Sequence, residues 1–264
     1  CEAYERGALA LGTEAVLKCL GLDRRDWNLG SLTFASTTQP RLICPSMSYL
    51  IAAHLGLRHD IEHNDIIGGG CQGSAPAIKR AYDSYLATSK PALALSVEIC
   101  TSTFFPAPER DLENVVANAI FGDGAACCLI GDDDKWEHPY LVGFASEFDP
   151  HYKDYLGYKW VDGRLKVVLH KDVPRIAPML AERVVNRLLP KYGLKMADIK
   201  HLIIHPGGVK VLDSVRDALG IPEEKMAYSR EVLRNYGNVS SATIGAIGKI
   251  VREEAKPSDW GLIL

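Results

Sequence analysis

The most constraining feature of this sequence is a plan used twice. The stretches LGLDRRDWNLGSLTFAS (20–36) and YGLKMADIKHLIIHPG (192–207) each end a helix in Gly-Leu, place an acid five residues after that glycine (Asp26, Asp198), and run into an apolar strand. Both continue with a helix closed by Leu-Gly (Leu55-Gly56, Leu219-Gly220), a polar loop and a helix start made of small residues. The first such start carries Cys71, in IIGGGCQGSAPAIKRA (66–81); the second carries Asn238, in YGNVSSATIGAIGKI (236–250). The match is approximate, with 15 residues from Gly56 to Cys71 and 18 from Gly220 to Asn238. Chance likeness between two α/β units is the competing reading. A true duplication relates the halves by a pseudo-twofold and brings the two helix starts toward a common centre, with His205 beside them at the end of the second-half strand.

Hydrophobic periodicity fills in the rest. It predicts helices near 2–20, 46–56, 73–88, 174–192, 207–219 and 240–254, strands near 30–36, 92–99 and 201–205, and a pair of strands near 124–131 and 140–147 that are partners of each other. That alternation is an α/β pattern with mostly buried sheets. The chain begins inside a helical pattern without a cap and stops in the strand-like DWGLIL, so the fold is expected to be cut at both ends.

Composition excludes several function classes. With 264 residues, 47% hydrophobic and 24% charged, the chain can bury one large core or two modest ones. A net charge of −3 with both signs interspersed leaves no basic stripe for nucleic acid and no polybasic patch for lipid. No apolar run approaches the roughly 20 residues of a membrane span, and the N-terminal stretch reads as an amphipathic helix, so a cytoplasmic location is expected. Seven cysteines (Cys1, Cys19, Cys44, Cys71, Cys100, Cys127, Cys128) without CxxC spacing argue against a disulfide framework and a structural zinc site. HDIEH (59–63) has H-x3-H spacing, but it falls in an expected loop with no third ligand, and no metal is expected. Cys127 and Cys128, adjacent in a strand, should point to opposite faces as core filler.

The candidate chemistry follows from residue type. A thiol at a helix N-terminus feels the positive end of the helix dipole, and a neighbouring imidazole can take its proton, which makes Cys71 an acyl acceptor. Its backbone N–H faces the place where an acyl oxyanion forms, and Gly68, Gly69 and Gly70 let the chain turn tightly into the helix. Taken singly, Cys71 also reads as a buried structural cysteine, His205 as a satisfied core histidine and Asn238 as an ordinary N-cap. Taken together in glycine-flanked turns, the three suit a site that stabilises an enolate with neutral donors.

These residues resemble a family, the type III polyketide synthases, the chalcone-synthase-like branch of the thiolase-fold condensing enzymes. The resemblance rests on GGGCQGSAPAIKRA (68–81), AIFGDGAAC (119–127), HKDVP (170–174), HPGGVKVLDSV (205–215) and YGNVSSA (236–242), in the family's order. It implies a thiolase-like α/β fold of two pseudo-twofold-related βαβαβ halves in α-β-α-β-α layers. The halves would be 1–135, carrying the nucleophile, and 136–264, carrying His and Asn. It implies that Cys71 holds the starter and growing chain as a thioester, while His205 and Asn238 bind the malonyl-CoA carbonyl and stabilise the enolate formed as carbon dioxide leaves. His205 would also help keep Cys71 ionised. Phe121 would stand where the CoA tunnel meets the pocket, with core aromatic as the alternative reading. Gly207, Gly208 and Lys210 would line the tunnel mouth, and Lys210 reads equally as a solvated surface lysine. The substrates implied are malonyl-CoA and an acyl-CoA or acyl-carrier starter, no cofactor is implied, and the assembly that the resemblance implies is a homodimer.

Departures from the family bear on substrate. Val167 stands where plant chalcone synthases carry a bulky pocket phenylalanine, and Cys100 where they carry a threonine. Cys44 falls on the loop that reaches across the dimer interface in the family. Smaller side chains leave room, which points toward a bacterial-type alkylresorcinol or alkylpyrone synthase over a chalcone former. The family's basic residues for the CoA 3′-phosphate would precede this chain and its Gly-rich final hairpin would follow it. Two rivals remain at this point: a single-step 3-ketoacyl synthase without cyclisation, and a non-catalytic acyl- or CoA-binding paralogue.

Overall fold

The structure, a computed structural model, describes residues 2–21, 28–39, 44–106, 111–132 and 139–264. Asp26 of the sequence repeat and Cys1 lie outside the described residues. In chain order the elements are α1 (Glu2–Leu20), β1 (Ser31–Ser36), α2 (Met47–Leu55), β2 (Glu62–Ile67), α3 (Ser74–Thr88), β3 (Ala92–Glu98), α4 (Leu112–Ile120) and β4 (Gly124–Ile130). There follow β5 (Leu156–Val161), β6 (Arg164–Leu169), α5 (Val173–Leu188), β7 (Ile199–Ile203), α6 (Val209–Ala218), α7 (Ala227–Tyr236), α8 (Thr243–Glu254) and β8 (Trp260–Ile263). They form two compact units. One comprises Cys1–Phe104, Phe121–Glu137 and Val239–Gly245; the other comprises Phe105–Ile120, His138–Asn238 and Ala246–Leu264.

The first unit is built on a four-stranded sheet in the order β2-β1-β3-β4, parallel except for β4. Every residue of β1 and β3 is buried, as expected of central strands covered on both faces. The alternation of side chains sorts them. Leu32, Phe34, Leu93, Leu95 and Val97 join Tyr4, Ala8 and Val16 of α1 and Met47 and Ile51 of α2 in one core. The opposite face is small and polar: Ser74 and Ile78 of α3 meet Ala94 and Ser96 around a cavity of about 30 Å³. The close seat of α1 depends on Gly12, where a Cβ would come within 2.9 Å of the Ile51 side chain.

The second unit has the β5–β6 hairpin, with α4 packed on β6, and the parallel pair β7–β8. Val185, Leu189, Ile199, Leu202, Ile204, Leu212, Val215, Met226 and Leu262 form its core. Asp198, the second acid of the repeat, accepts a hydrogen bond from Lys195 N at 2.7 Å and so closes the turn that feeds β7.

Several expectations need correction. The partner of β4 is β3, running from Ala92 opposite Ile130 to Glu98 opposite Gly124, and residues 139–149 form no strand. That segment is held instead by side chains: Tyr192 Oη donates to Val142 O at 3.0 Å and Arg187 to Ser146 O at 2.9 Å. The helix expected over 174–192 stops at Leu188, and Leu189–Tyr192 continue as a 3-10 turn. Pro190 has no N–H to give and its ring crowds the preceding turn, while Gly193 closes the turn at φ 67°. His63 of HDIEH lies on β2 and not in a loop. Cys127 packs against the first core, but Cys128 is exposed because β4 is an edge strand. The final run 260–263 is a strand, in keeping with its apolar pattern, and pairs with β7. Among the described residues, no helix is long and apolar enough to cross a membrane, and no cluster of His, Cys, Asp and Glu could hold a metal.

Candidate active site

Behind β2 the chain reverses through Gly68 at φ 77° and Gly70 at φ 64°, conformations that a side chain strains. Gly70–Gln72 then form a 3-10 turn that runs through Gly73 into α3. Cys71 therefore sits, half-buried, on the turn that leads into the helix and not within its first turn. Two bonds fix that turn: Gly73 N donates to Gly70 O at 3.0 Å, and Thr37 Oγ1 at the end of β1 donates to the same oxygen at 3.0 Å.

Against it packs the matching turn from the second half of the repeat. Ser240–Ala242 is also a 3-10 turn, and it also opens a helix, α8. Ser240 Oγ donates to Cys71 Sγ at 3.6 Å. A Cβ on Gly73 would stand 3.4 Å from Ser241 Cβ, so the two helix starts touch through their smallest residues.

Sequence reasoning missed the residue that ties these turns to the sheet. Glu98, fully buried at the end of β3, accepts from Thr37 N at 3.0 Å, Thr38 N at 3.0 Å, Thr38 Oγ1 at 2.9 Å and Ser241 Oγ. Burial pushes its carboxyl up from the ordinary value, and these hydrogen bonds oppose the shift. One carboxylate thus binds the end of β1, the end of β3 and the turn that touches Cys71. The available signal was a lone acid closing the apolar run ALALSVE: a charge there has to be paired.

Beyond Glu98, Cys100 is buried in a short 3-10 turn, and burial first, then Glu98 and Cys71, raises its thiol far above the usual range. Asp123 clamps this turn, accepting from Thr101 N at 2.8 Å and Thr101 Oγ1 at 2.7 Å. Asp123 lies two residues after the half-buried Phe121, so the loop carrying that aromatic is fixed to the turn carrying Cys100. Cys44 is exposed, just before the Ser46 cap of α2.

The second unit holds the other candidates. His205 follows β7, with its N–H donating to Leu264 O at 2.7 Å. The residue retains some exposed surface, yet both ring nitrogens are sealed and neither has a hydrogen-bond partner among the described residues. Burial lowers its pKa from 6.5 to about 4, so the ring is neutral at physiological pH and can be a donor or an acceptor. Gly207 N donates back to His205 O at 3.0 Å, and Gly208, at φ 144°, opens α6, on whose first turn Lys210 is exposed.

Asn238 is 1% exposed, and its N–H donates to Ile120 O, the last residue of α4, at 2.7 Å. Gly237 makes this approach possible: its φ is 70°, and a Cβ there would lie 2.7 Å from Ile120 O. Val167, 8% exposed, sits on β6 opposite Tyr158.

The fold defined by these elements is the thiolase-like fold of the type III condensing enzymes. The structure resembles the crystal structure of 1,3,6,8-tetrahydroxynaphthalene synthase from Streptomyces coelicolor A3(2), a bacterial type III polyketide synthase, at a TM-score of 0.83 and 24% identity, covering 96% of this chain and 72% of that one. "Chalcone and stilbene synthases, N-terminal domain" matches residues 3–134, and "Chalcone and stilbene synthases, C-terminal domain" matches residues 141–264; the chain belongs to this family. Among curated relatives, the 3,5-dihydroxyphenylacetyl-CoA synthase of Amycolatopsis balhimycina is 31% identical, over 99% of this chain and 70% of the relative. The 1,3,6,8-tetrahydroxynaphthalene synthase of Streptomyces peucetius subsp. caesius is 31% identical, over 97% of this chain and 69% of the relative. The chain is thus a type III polyketide synthase, an acyltransferase that extends a starter by repeated decarboxylative condensation with malonyl-CoA and cyclises the product. CoA thioesters are the substrates and no further cofactor is needed; a single-step ketoacyl synthase and a binding-only paralogue are not favoured.

Proposed function

We propose that Cys71 is the nucleophile of this synthase and that His205 and Asn238 serve the decarboxylation. The Cys71 thiolate attacks the starter thioester, a carbon–sulfur bond forms, and CoA leaves as its thiolate. Malonyl-CoA then loses carbon dioxide, and the electron pair released becomes an enolate whose oxygen accepts hydrogen bonds from the His205 ring and the Asn238 amide. The enolate carbon attacks the acyl-Cys71 carbonyl, Cys71 departs as thiolate, and the lengthened β-ketoacyl-CoA reloads for the next cycle. The observation that carries this reading is the Cys71 turn packed on the Ser240–Ala242 turn, with Ser240 donating to the sulfur. A neutral His205 suits the enolate, which needs donors and no fixed carboxylate.

Phe121 is assigned to the junction of tunnel and pocket, Val167, Cys100 and Cys44 to the pocket wall, and Gly207, Gly208 and Lys210 to the CoA entrance. The small side chains at 44, 100 and 167 favour a roomy cavity and a pyrone or resorcinol-type product. The 3,5-dihydroxyphenyl group in the name of one relative agrees with resorcinol-type ring closure. The two halves are assigned to 1–135 and 136–264, the assembly is a homodimer, and the enzyme works in the cytoplasm.

The test is product mass after incubation with malonyl-CoA alone and with a panel of acyl-CoA starters, using Cys71→Ala as blank. Triketide and tetraketide rings that vanish with Cys71→Ala are expected. Iodoacetamide labelling of Cys71 at neutral pH no faster than that of an ordinary thiol would sink the nucleophile assignment.

A further inference from the structure

His201 has no part in the chemistry above, yet it is 5% exposed, on β7 itself and four residues before His205. Its Nε2 lies 3.0 Å from Asp259 Oδ2, its Nδ1 is buried without a partner among the described residues, and its ring stacks on Tyr228 with centroids 6.3 Å apart. Tyr228 in turn donates to Glu254 at 2.7 Å. Asp259 also accepts from Lys200 Nζ at 3.0 Å and Lys256 N at 3.0 Å.

Lys200 and His201 are adjacent in a strand and should point to opposite faces. Both reach Asp259 because β7 bulges there: Ile199 pairs with Trp260 and His201 already with Gly261, which leaves Lys200 as the extra residue. Asp259 stands at the entry to β8, and β8 is what holds His205. Leu264 N donates to Ile203 O at 2.9 Å and Leu264 O accepts from His205 N at 2.7 Å. Since the His205 ring has no hydrogen bond of its own among the described residues, its placement depends on that backbone.

We propose that the His201–Asp259 pair is a positioning device, which fixes the register of β8 on the bulged β7 and through it the orientation and burial of the His205 ring. A one-residue slip of β8 would deprive His205 N–H of its acceptor and open the ring to water. The kinetic arm of the test rests on His205 serving catalysis; the spectroscopic arm does not.

His201→Leu removes the donor, and His201→Gln retains one. With His201→Leu, kcat is expected to fall about tenfold while KM for malonyl-CoA stays within twofold. The His205 imidazole titration, followed by NMR on histidine-labelled protein, should move up from about 4 toward 6.5, and exchange of the His205 amide should speed up. His201→Gln should restore all three. Unchanged His205 titration and amide exchange in a folded His201→Leu protein, even with a lower Tm, would overturn the proposal. If His201→Leu does not fold, Lys200→Met, which removes only the exposed arm on Asp259, should shift the same readouts in the same sense by less; no shift there overturns it too. Full activity in His205→Gln would refute the catalytic reading of His205 and leave the spectroscopic result standing.

Discussion

A histidine whose ring nitrogens are sealed from water is a base that folding has weakened. For His205 the folded pKa is about 4 against 6.5 unfolded, so between these values the unfolded chain binds a proton and the native one does not. Stability therefore rises with pH across this window and is lost as pH falls from about 6.5 toward 4, by roughly 3 kcal/mol at most from this one group. Urea unfolding at pH 7 and pH 4.5 should show a smaller acid loss for His205→Gln than for wild type, and equal losses would contradict the buried neutral ring. Glu98 poses the opposite test. Its two oxygens face only donors, so Glu98→Gln turns one acceptor into a donor that meets Thr37, Thr38 or Ser241. A loss of about 2–4 kcal/mol in unfolding free energy is expected, along with reduced activity, since the turn beside Cys71 loses its anchor. A neutral result would mean that the carboxyl is already protonated and donating.

At the level of elements, what the sequence disclosed depended on how far away the cause lay. The helices near 2–20, 46–56 and 73–88 and the strand near 92–99 were legible because their patterns are local, and observed ends fall within a residue or so. Strand β2 was not legible: EHNDII is a polar edge strand, and only its pairing with β1 makes it a strand. The β5–β6 hairpin does carry a local signal, the Asp162-Gly163 turn with both residues at positive φ, although neither flanking strand alternates clearly enough to announce itself. In the site, Cys71, His205 and Asn238 stand out by their glycine settings. Glu98 does not, because its donors come from two distant segments, at Thr37–Thr38 and at Ser241, that only folding assembles. Gly237 allows a sharper test of such a setting. Gly237→Ala meets both positive φ and a carbonyl at 2.7 Å, whereas Gly56→Ala, at φ 63°, meets only the former. About 1 kcal/mol is expected at Gly56 and roughly 3 kcal/mol at Gly237. Only Gly237→Ala should also lower kcat, because it moves Asn238; equal costs and unchanged kcat would remove Gly237 from the argument.

Over the whole molecule the issue is how a protein of net charge −3 receives a substrate that is itself anionic. Many surface cations are already engaged: Arg58 with Asp60, Arg80 with Glu62, Arg183 with Asp149, Arg187 with Glu147, and Arg216 and Arg230 with Glu223. Lys210, exposed on the first turn of α6 and close in sequence to His205, makes no ion pair among the described residues. If it meets a CoA phosphate, the contact is solvent-screened and is worth about 0.5–1 kcal/mol, or a two- to fivefold change in KM. Lys210→Ala is therefore expected to raise KM for malonyl-CoA by that factor at low salt, with kcat unchanged and the difference shrinking as ionic strength rises. With the malonyl thioester of N-acetylcysteamine, which has the same reacting carbons and no phosphate, KM should not move. An equal rise for both thioesters would place Lys210 in the packing of the tunnel mouth, and no rise for either would return it to the solvated surface.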